Sequence, residues 1–413
     1  MSEADGPRAH PREVRAALRR APLVDAFLCC RYSFSPYMAC GHGCAYCDGR
    51  AERYWVQGVF DRDIVVRENV AGLLARELPR LRERAPVALG SGITDAYQPL
   101  EKTRGLTREC ARVLSDHGLP VSVLTKSALV LRDLDTWDAV NRRGGFILNL
   151  SITTLDESVR RRFEPGASSI AERLEAMKAF GARGIPVGVM AMPLLPFISD
   201  GDAEVRALLA VLKEAGAIFV ITGGLTLRPG RQKDFFLQRL GETCPDLVPR
   251  YREIYAEERP SGSSTRSYRA LVEARFAAAA RELDLPFLLP HAWYRGRLPL
   301  YDEVHLLLQH LVEIYRARGV QTRPLEDSAR RFAGWLLGRK REFNRRRSQT
   351  QEALEAQVRE LFQGPGACGL LGNEKLASFL RAVAVDRRIL DYRSLSLVEA
   401  GGPEPGGRFL ARS

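Results

Sequence analysis

Six short apolar runs, at 27–34, 87–89, 121–124, 147–152, 187–190 and 218–221, alternate with amphipathic stretches near 67–84, 105–117, 130–142, 169–183 and 201–215. This rhythm limits the available folds more than any other feature of the chain. Each run is brief and does not alternate polar with apolar residues, as expected of strands buried on both faces of a parallel sheet. Glycine and proline mark the intervening turns at 118–120, 144–145 and 184–186. Strand–helix units in succession imply a parallel α/β barrel or open barrel.

After Gly223 and Gly224 the rhythm stops. Five regions follow from the reading: a polar, partly helical lead at 1–25, the barrel at 26–225, a mixed barrel-completing segment at 226–298, a mainly helical region at 299–400, and a loose Gly/Pro-rich tail at 401–413. The mixed segment holds one more apolar run, 286–289, a candidate late strand. Two helical stripes stand out beyond it: Leu306, Leu307, Leu311, Ile314 and Tyr315, then Phe332, Trp335, Leu336 and Leu337. At 413 residues and 45% hydrophobic content the chain can bury a sizeable core. No window approaches the roughly 20 apolar residues of a membrane span, so no membrane partner is expected. The first residues carry charge but no apolar signal-type run, and the expected location is the cytoplasm.

The eight cysteines argue for metal or cluster chemistry rather than disulfides in such a compartment, because three fall close together. They stand in SFSPYMACGHGCAYCDGR as Cys40, Cys44 and Cys47, directly after the first strand candidate. Three thiolates on one tight loop can hold three irons of a [4Fe–4S] cube and leave the fourth open. Gly41 and Gly43 let the backbone wrap closely, and Tyr46 adds a flat side chain. A zinc site with His42 as fourth ligand is the first alternative, and three structural cysteines are the second. Cys29 and Cys30, on or beside the first strand, read as core; Cys244 and Cys368 are isolated.

The loop resembles that of the radical S-adenosylmethionine enzymes. GSGITDAYQPLEKTRGLTREC at 90–110, LTKSALVLRDLD at 124–135 and the segment 150–200 extend the likeness to the spore photoproduct lyase-like branch, often labelled DNA-repair photolyase-like. The resemblance covers about residues 25–225 and implies a partial (β/α)6 TIM-like barrel with a mainly helical C-terminal extension. It also implies a [4Fe–4S] cluster on Cys40, Cys44 and Cys47 and reductive cleavage of S-adenosyl-L-methionine to a 5′-deoxyadenosyl radical. By position in the matching motifs, Tyr46 would pack near the adenine, and Lys126 would approach the cofactor's carboxylate. Thr94 and Asp95 would lie around its amino group, Ser151 would reach the ribose or methionine end, and Met192 with Pro193 would meet adenine. Glu164, Pro165 and Gly166 read equally as ligand contacts or as a turn. Spore photoproduct lyases carry a hydrogen-donating cysteine in the loop after the second strand. Here that loop has none; Cys110 sits on the next helix, and Tyr97 is a possible substitute.

GRKREFNRRRSQTQEA at 338–353 adds a candidate nucleic-acid contact: Arg339, Lys340, Arg341, Arg345, Arg346 and Arg347, with Phe343 available to stack on a base. A net charge of +12 agrees with a polyanionic partner, and a solvated helix face is the plain alternative. The leading expectation is a radical enzyme repairing DNA, reduced by a flavodoxin- or ferredoxin-like donor. A peptide, protein or small-metabolite substrate is the first alternative. A non-enzymatic iron–sulfur nucleic-acid-binding or redox-sensing protein is the second.

Overall fold

A computed structural model describes residues 6–90, 92–346 and 348–399. The main sheet carries β1 (Tyr32–Phe34), β2 (Val87–Leu89), β3 (Val121–Thr125), β4 (Phe146–Ser151), β5 (Val187–Leu194) and β6 (Phe219–Gly224), side by side in chain order. β3, β4, β5 and β6 pair in parallel, with Val121 opposite Phe146, Leu148 opposite Val187 and Gly188 opposite Phe219. Every residue of β4 is buried, which is why the run carries no alternation. Helices α1 (Val70–Glu77), α2 (Leu106–His117), α3 (Leu134–Gly144), α4 (Ile170–Ala182) and α5 (Asp202–Glu214) fall between successive strands. α4 starts on a capping box, Ser169 with Glu172. α6 (Arg231–Thr243) and α7 (Arg266–Glu282) follow β6. The fold is α/β, a partial barrel with a helical C-terminal region.

By its internal packing the chain divides into two units. The first takes the N-terminal segment up to Arg19, Ser33–Pro79 and Ala88–Phe287. Its lead is extended rather than helical. Arg8–Arg12 forms a strand parallel to Asp63–Arg67, and Asp63 accepts Arg8 Nε at 2.8 Å and pairs with His10 Nε2 at 3.0 Å. The run 286–289 is not a strand; it meets the sheet through the Pro286 carbonyl, which accepts the N–H of Val220 at 2.8 Å.

The second unit gathers Arg20–Tyr32, Arg80–Val87 and the chain from Leu288. The expected strand 27–34 is shorter at its start, because Asp25 Oδ1 accepts the N–H groups of Phe27 and Leu28 and turns the backbone there. Cys29 and Cys30 therefore precede the strand, both buried. Helices α8 (Leu300–Ala317), α9 (Arg323–Arg345), α10 (Gln351–Gln363) and α11 (Glu374–Ala384) pack around Val304, Leu307, Phe332, Leu336, Val358 and Leu380. Among the described residues no helix is long and apolar enough to cross a membrane.

This unit also buries charge. Glu83 accepts from Arg20, from Arg31 Nη2 at 3.3 Å, from Tyr301 Oη at 2.8 Å and from Lys340 Nζ at 2.7 Å. Lys340 reaches Asp302 as well, at 3.1 Å, and lies 4.1 Å above the Tyr301 ring. Lys340 is 3% exposed and Phe343 is fully buried, so neither can meet a phosphate or a base. This corrects the expected nucleic-acid set. Arg341 and Arg345 on α9 and Arg346 at its C-cap are exposed, while Arg339 is half-exposed and bonded to Glu342 at 3.3 Å. Arg347 lies outside the described residues.

Candidate active site

The cysteine loop leaves β1 and is fastened on several sides. The Cys40 N–H bonds the Phe60 carbonyl at 3.3 Å and the Gly41 N–H bonds Gln98 Oε1 at 2.8 Å. The Ala45 N–H bonds the Phe163 carbonyl at 2.8 Å, and the His42 carbonyl accepts the Gly166 N–H at 2.8 Å. Ala39 holds a left-handed φ of 68°, and its carbonyl accepts Thr94 Oγ1 at 2.7 Å. Gly166 is required by contact: a Cβ there would stand 2.6 Å from the Gly41 carbonyl oxygen. The Glu164, Pro165, Gly166 segment is thus a buttress of the cysteine loop as well as a turn.

Cys40, Cys44 and Cys47 are all free thiols, the first two buried and the third half-buried. Burial, above all, raises all three: Cys40 well above its ordinary value, Cys44 up to about 12, and Cys47 as well. The other thiols add to the rise at Cys40 and Cys44. The N–H of His42 is directed at Cys40 and that of Gly49 at Cys47, each opposing the rise. Soft sulfur donors with backbone donors aimed at them, on a loop held from outside, are a donor set that fits an iron–sulfur cube. His42, the fourth ligand of the zinc alternative, instead turns Nδ1 to Asp95 Oδ2 at 3.4 Å. Among the described residues no three His, Cys, Asp or Glu side chains converge on a seat for a single metal ion.

Around Cys44 the strand ends supply a charged network. Glu164 accepts from Tyr46 Oη, from Thr153 Oγ1 at 3.2 Å and from Arg173 Nη2 at 2.5 Å, and lies 3.5 Å from Lys126 Nζ. Burial pushes the Glu164 carboxyl up, but Lys126 and Arg173 prevail and hold it well below the usual range. Burial and the neighbouring Glu164 carboxylate both raise the Tyr46 phenol. Lys126 Nζ sits 5.7 Å above the Tyr46 ring, and its side chain is 15% exposed. Arg173 also bonds the Ser151 carbonyl at 2.7 Å, linking the end of β4 to Glu164.

Asp95 joins β3 to the loop, accepting Thr125 Oγ1 at 2.7 Å and the Lys126 N–H at 2.7 Å besides facing His42. Burial raises its carboxyl, and the His42 pairing with these donors more than offsets that. Thr94 and Asp95 therefore direct their side chains to the protein. Met192, half-buried near the end of β5, covers Gly223, where a Cβ would meet Met192 Cε at 3.2 Å. Tyr97 is fully buried, donating to Asp133 Oδ2 at 3.1 Å and accepting from Trp137 Nε1 at 2.7 Å, which makes it a packed structural residue. Sequence reasoning passed over Arg50, Gln98 and Arg173. For Arg173 a signal was present, since it falls on the apolar stripe Ile170, Met177 and Phe180 of α4.

Residues 34–225 match the model of the Radical SAM superfamily. An uncharacterized protein of Mycobacterium tuberculosis is 34% identical over 278 residues, which is 66% of this chain and 80% of that relative. The chain belongs to the radical S-adenosylmethionine superfamily. It is a radical SAM enzyme whose cofactors are a [4Fe–4S] cluster and S-adenosylmethionine. The Radical SAM Nalpha-GlyT isomerase of Pseudomonas phage M6 is 21% identical to this radical SAM enzyme over 269 residues, 62% of this chain and 53% of the phage protein. A spore photoproduct lyase solved with bound AdoMet and dinucleoside spore photoproduct has 17% identity and a TM-score of 0.47, covering 64% of this chain and 78% of that one.

Proposed function

We propose that Cys40, Cys44 and Cys47 hold the cluster, and that this enzyme acts on nucleic acid in a spore photoproduct lyase-like reaction, DNA repair. The observation that carries the cluster assignment is the loop of three free thiols braced by Phe60, Gln98, Phe163 and Gly166. When bound, the cluster supplies the electron that cleaves S-adenosylmethionine to the 5′-deoxyadenosyl radical. The electron comes from a flavodoxin- or ferredoxin-like donor. Lys126, at the end of β3, binds the cofactor's carboxylate, with Glu164 holding the ammonium in place until then. Tyr46 and Met192 flank the adenine, and Ser151 meets the ribose or methionine end. Thr94 and Asp95 act on the cysteine loop that faces the amino group. The positions of Lys126, Ser151 and Met192, at or beside the C-terminal ends of β3, β4 and β5, support this reading, because sites of such folds assemble there.

The nucleic-acid half is supported by the net charge of +12 and by the exposed Arg341, Arg345 and Arg346. Anaerobic turnover with reductant tests it. Damaged or intact DNA should stimulate 5′-deoxyadenosine formation and be altered itself. Formation of 5′-deoxyadenosine that ignores every nucleic acid offered removes the substrate assignment and leaves the cluster assignment standing.

A further inference from the structure

Arg50 lies three residues beyond Cys47, and its guanidinium turns back under the cysteine loop. Nε donates to the Cys44 carbonyl at 3.0 Å, and Nη2 donates to the Gly43 carbonyl at 3.0 Å and to Asp61 Oδ2 at 2.9 Å. Its backbone N–H bonds the Cys47 carbonyl at 3.1 Å. The side chain is 7% exposed and is sandwiched between two rings, with Phe235 3.8 Å and Phe60 5.1 Å from the guanidinium carbon. The turn that brings it inward depends on Gly49, where a Cβ would stand 2.5 Å from the Phe60 ring and 2.9 Å from the Ile93 carbonyl oxygen. Three of the eight residues from Cys40 to Cys47 are thus held by one arginine.

We infer that Arg50 is a positioning residue that fixes the cysteine loop and raises the reduction potential of the cluster bound there. The inference rests on Cys40, Cys44 and Cys47 being the ligands. A planar fork holds two carbonyls and a carboxylate in fixed directions from two separate nitrogens, whereas a lysine offers one flexible ammonium nitrogen. Asp61 compensates the charge only in part, because its carboxylate is 28% exposed and hydrated whereas Arg50 is dry. Reduction adds negative charge to the cluster, so a buried cation beside it favours the reduced form.

The test uses the full-length chain loaded with iron and sulfide, read by redox titration under electron paramagnetic resonance and by iron loss to a chelator. Arg50→Gln should lower the midpoint potential, by up to tenfold in the reduction equilibrium, about 59 mV for one electron, and should speed iron loss. Arg50→Lys should keep the potential but still lose iron faster. Asp61→Asn should raise the potential, because Arg50 then lacks its counter-charge. Shifts of the same sign in Arg50→Gln and Asp61→Asn mean general damage and overturn the inference, as does an unchanged Arg50→Gln. If Arg50→Gln does not fold, a potential in Asp61→Asn that fails to rise overturns it alone. An unvaried chain that takes up no cluster overturns the ligand assignment, and this inference with it. A loaded chain with unmoved variants overturns the inference only.

Discussion

Glu164 gathers four donors on a carboxylate that is 1% exposed, and the balance of the site depends on it. Removing one member of a buried pair leaves the other uncompensated, which costs about 3–5 kcal/mol. Glu164→Ala should therefore destabilise the protein by that order in denaturant titration, chiefly through the stranded Arg173. Glu164→Gln should cost less, since it still accepts. Lys126 gives a different outcome, because its ammonium is partly open to the site. A charge-assisted hydrogen bond contributes about 1.5–3 kcal/mol, so Lys126→Ala should weaken S-adenosylmethionine binding roughly 10- to 100-fold. Iron content should stay unchanged. Anaerobic calorimetry reads the affinity, and unaltered binding would remove Lys126 from the cofactor's contacts.

Helix α9 carries two sets of basic side chains with opposite duties. Lys340 continues the buried stripe Phe332, Leu336 and Phe343, while Arg341 and Arg345, with Arg346 at the C-cap, are exposed. Lys340→Ala should lower stability by about 3 kcal/mol. Replacing the three arginines by alanine should leave stability nearly untouched and reduce the salt dependence of nucleic-acid binding by about three phosphate contacts. Fluorescence binding titrations over a series of salt concentrations distinguish these effects.

The same helix explains which parts of the molecule were legible beforehand. Strand runs such as 87–89 declared themselves because burial on both faces demands continuous apolar residues. The cysteine spacing and the strand-end positions of Lys126 and Ser151 were equally open to reading. Lys340 and Arg173 were not, since their letters say solvent while their helical phase says core. Phase was the better guide in both. The turn at Asp25 and the burial of Arg50 depend on single side-chain contacts made by folding, which periodicity does not encode.

Buried titratable groups of the helical unit set an acid limit for the whole protein. Burial lowers His305 from 6.5 to about 4 and His310 from 6.5 to about 3. Glu83, raised by burial but lowered more by Lys340 and Arg31, falls from 4.5 to about 2. Each folded value is depressed, so each group contributes stability that is present above its unfolded value and is lost as pH falls through the folded one. The two histidines act first, from about pH 6.5 downward, and Glu83 follows below 4.5. His305 alone corresponds to a loss on the order of 3 kcal/mol by pH 4. Thermal melts should show a midpoint falling steadily between pH 7 and 4.5. A flat midpoint over that range would contradict the assignment of neutral histidines.

The Glu83 network also bears on how the chain is made. Arg31 and Glu83 are 52 residues apart, but Tyr301 stands 218 residues beyond Glu83 and Lys340 stands 257 beyond it. At a ribosomal rate of about 5–20 residues per second, Glu83 waits roughly 13–50 s for its lysine. During that interval the nascent chain must keep the segments 20–32 and 80–87 hydrated. Vectorial synthesis therefore delivers the helices last, and premature termination before α9 should yield a product that depends on chaperones.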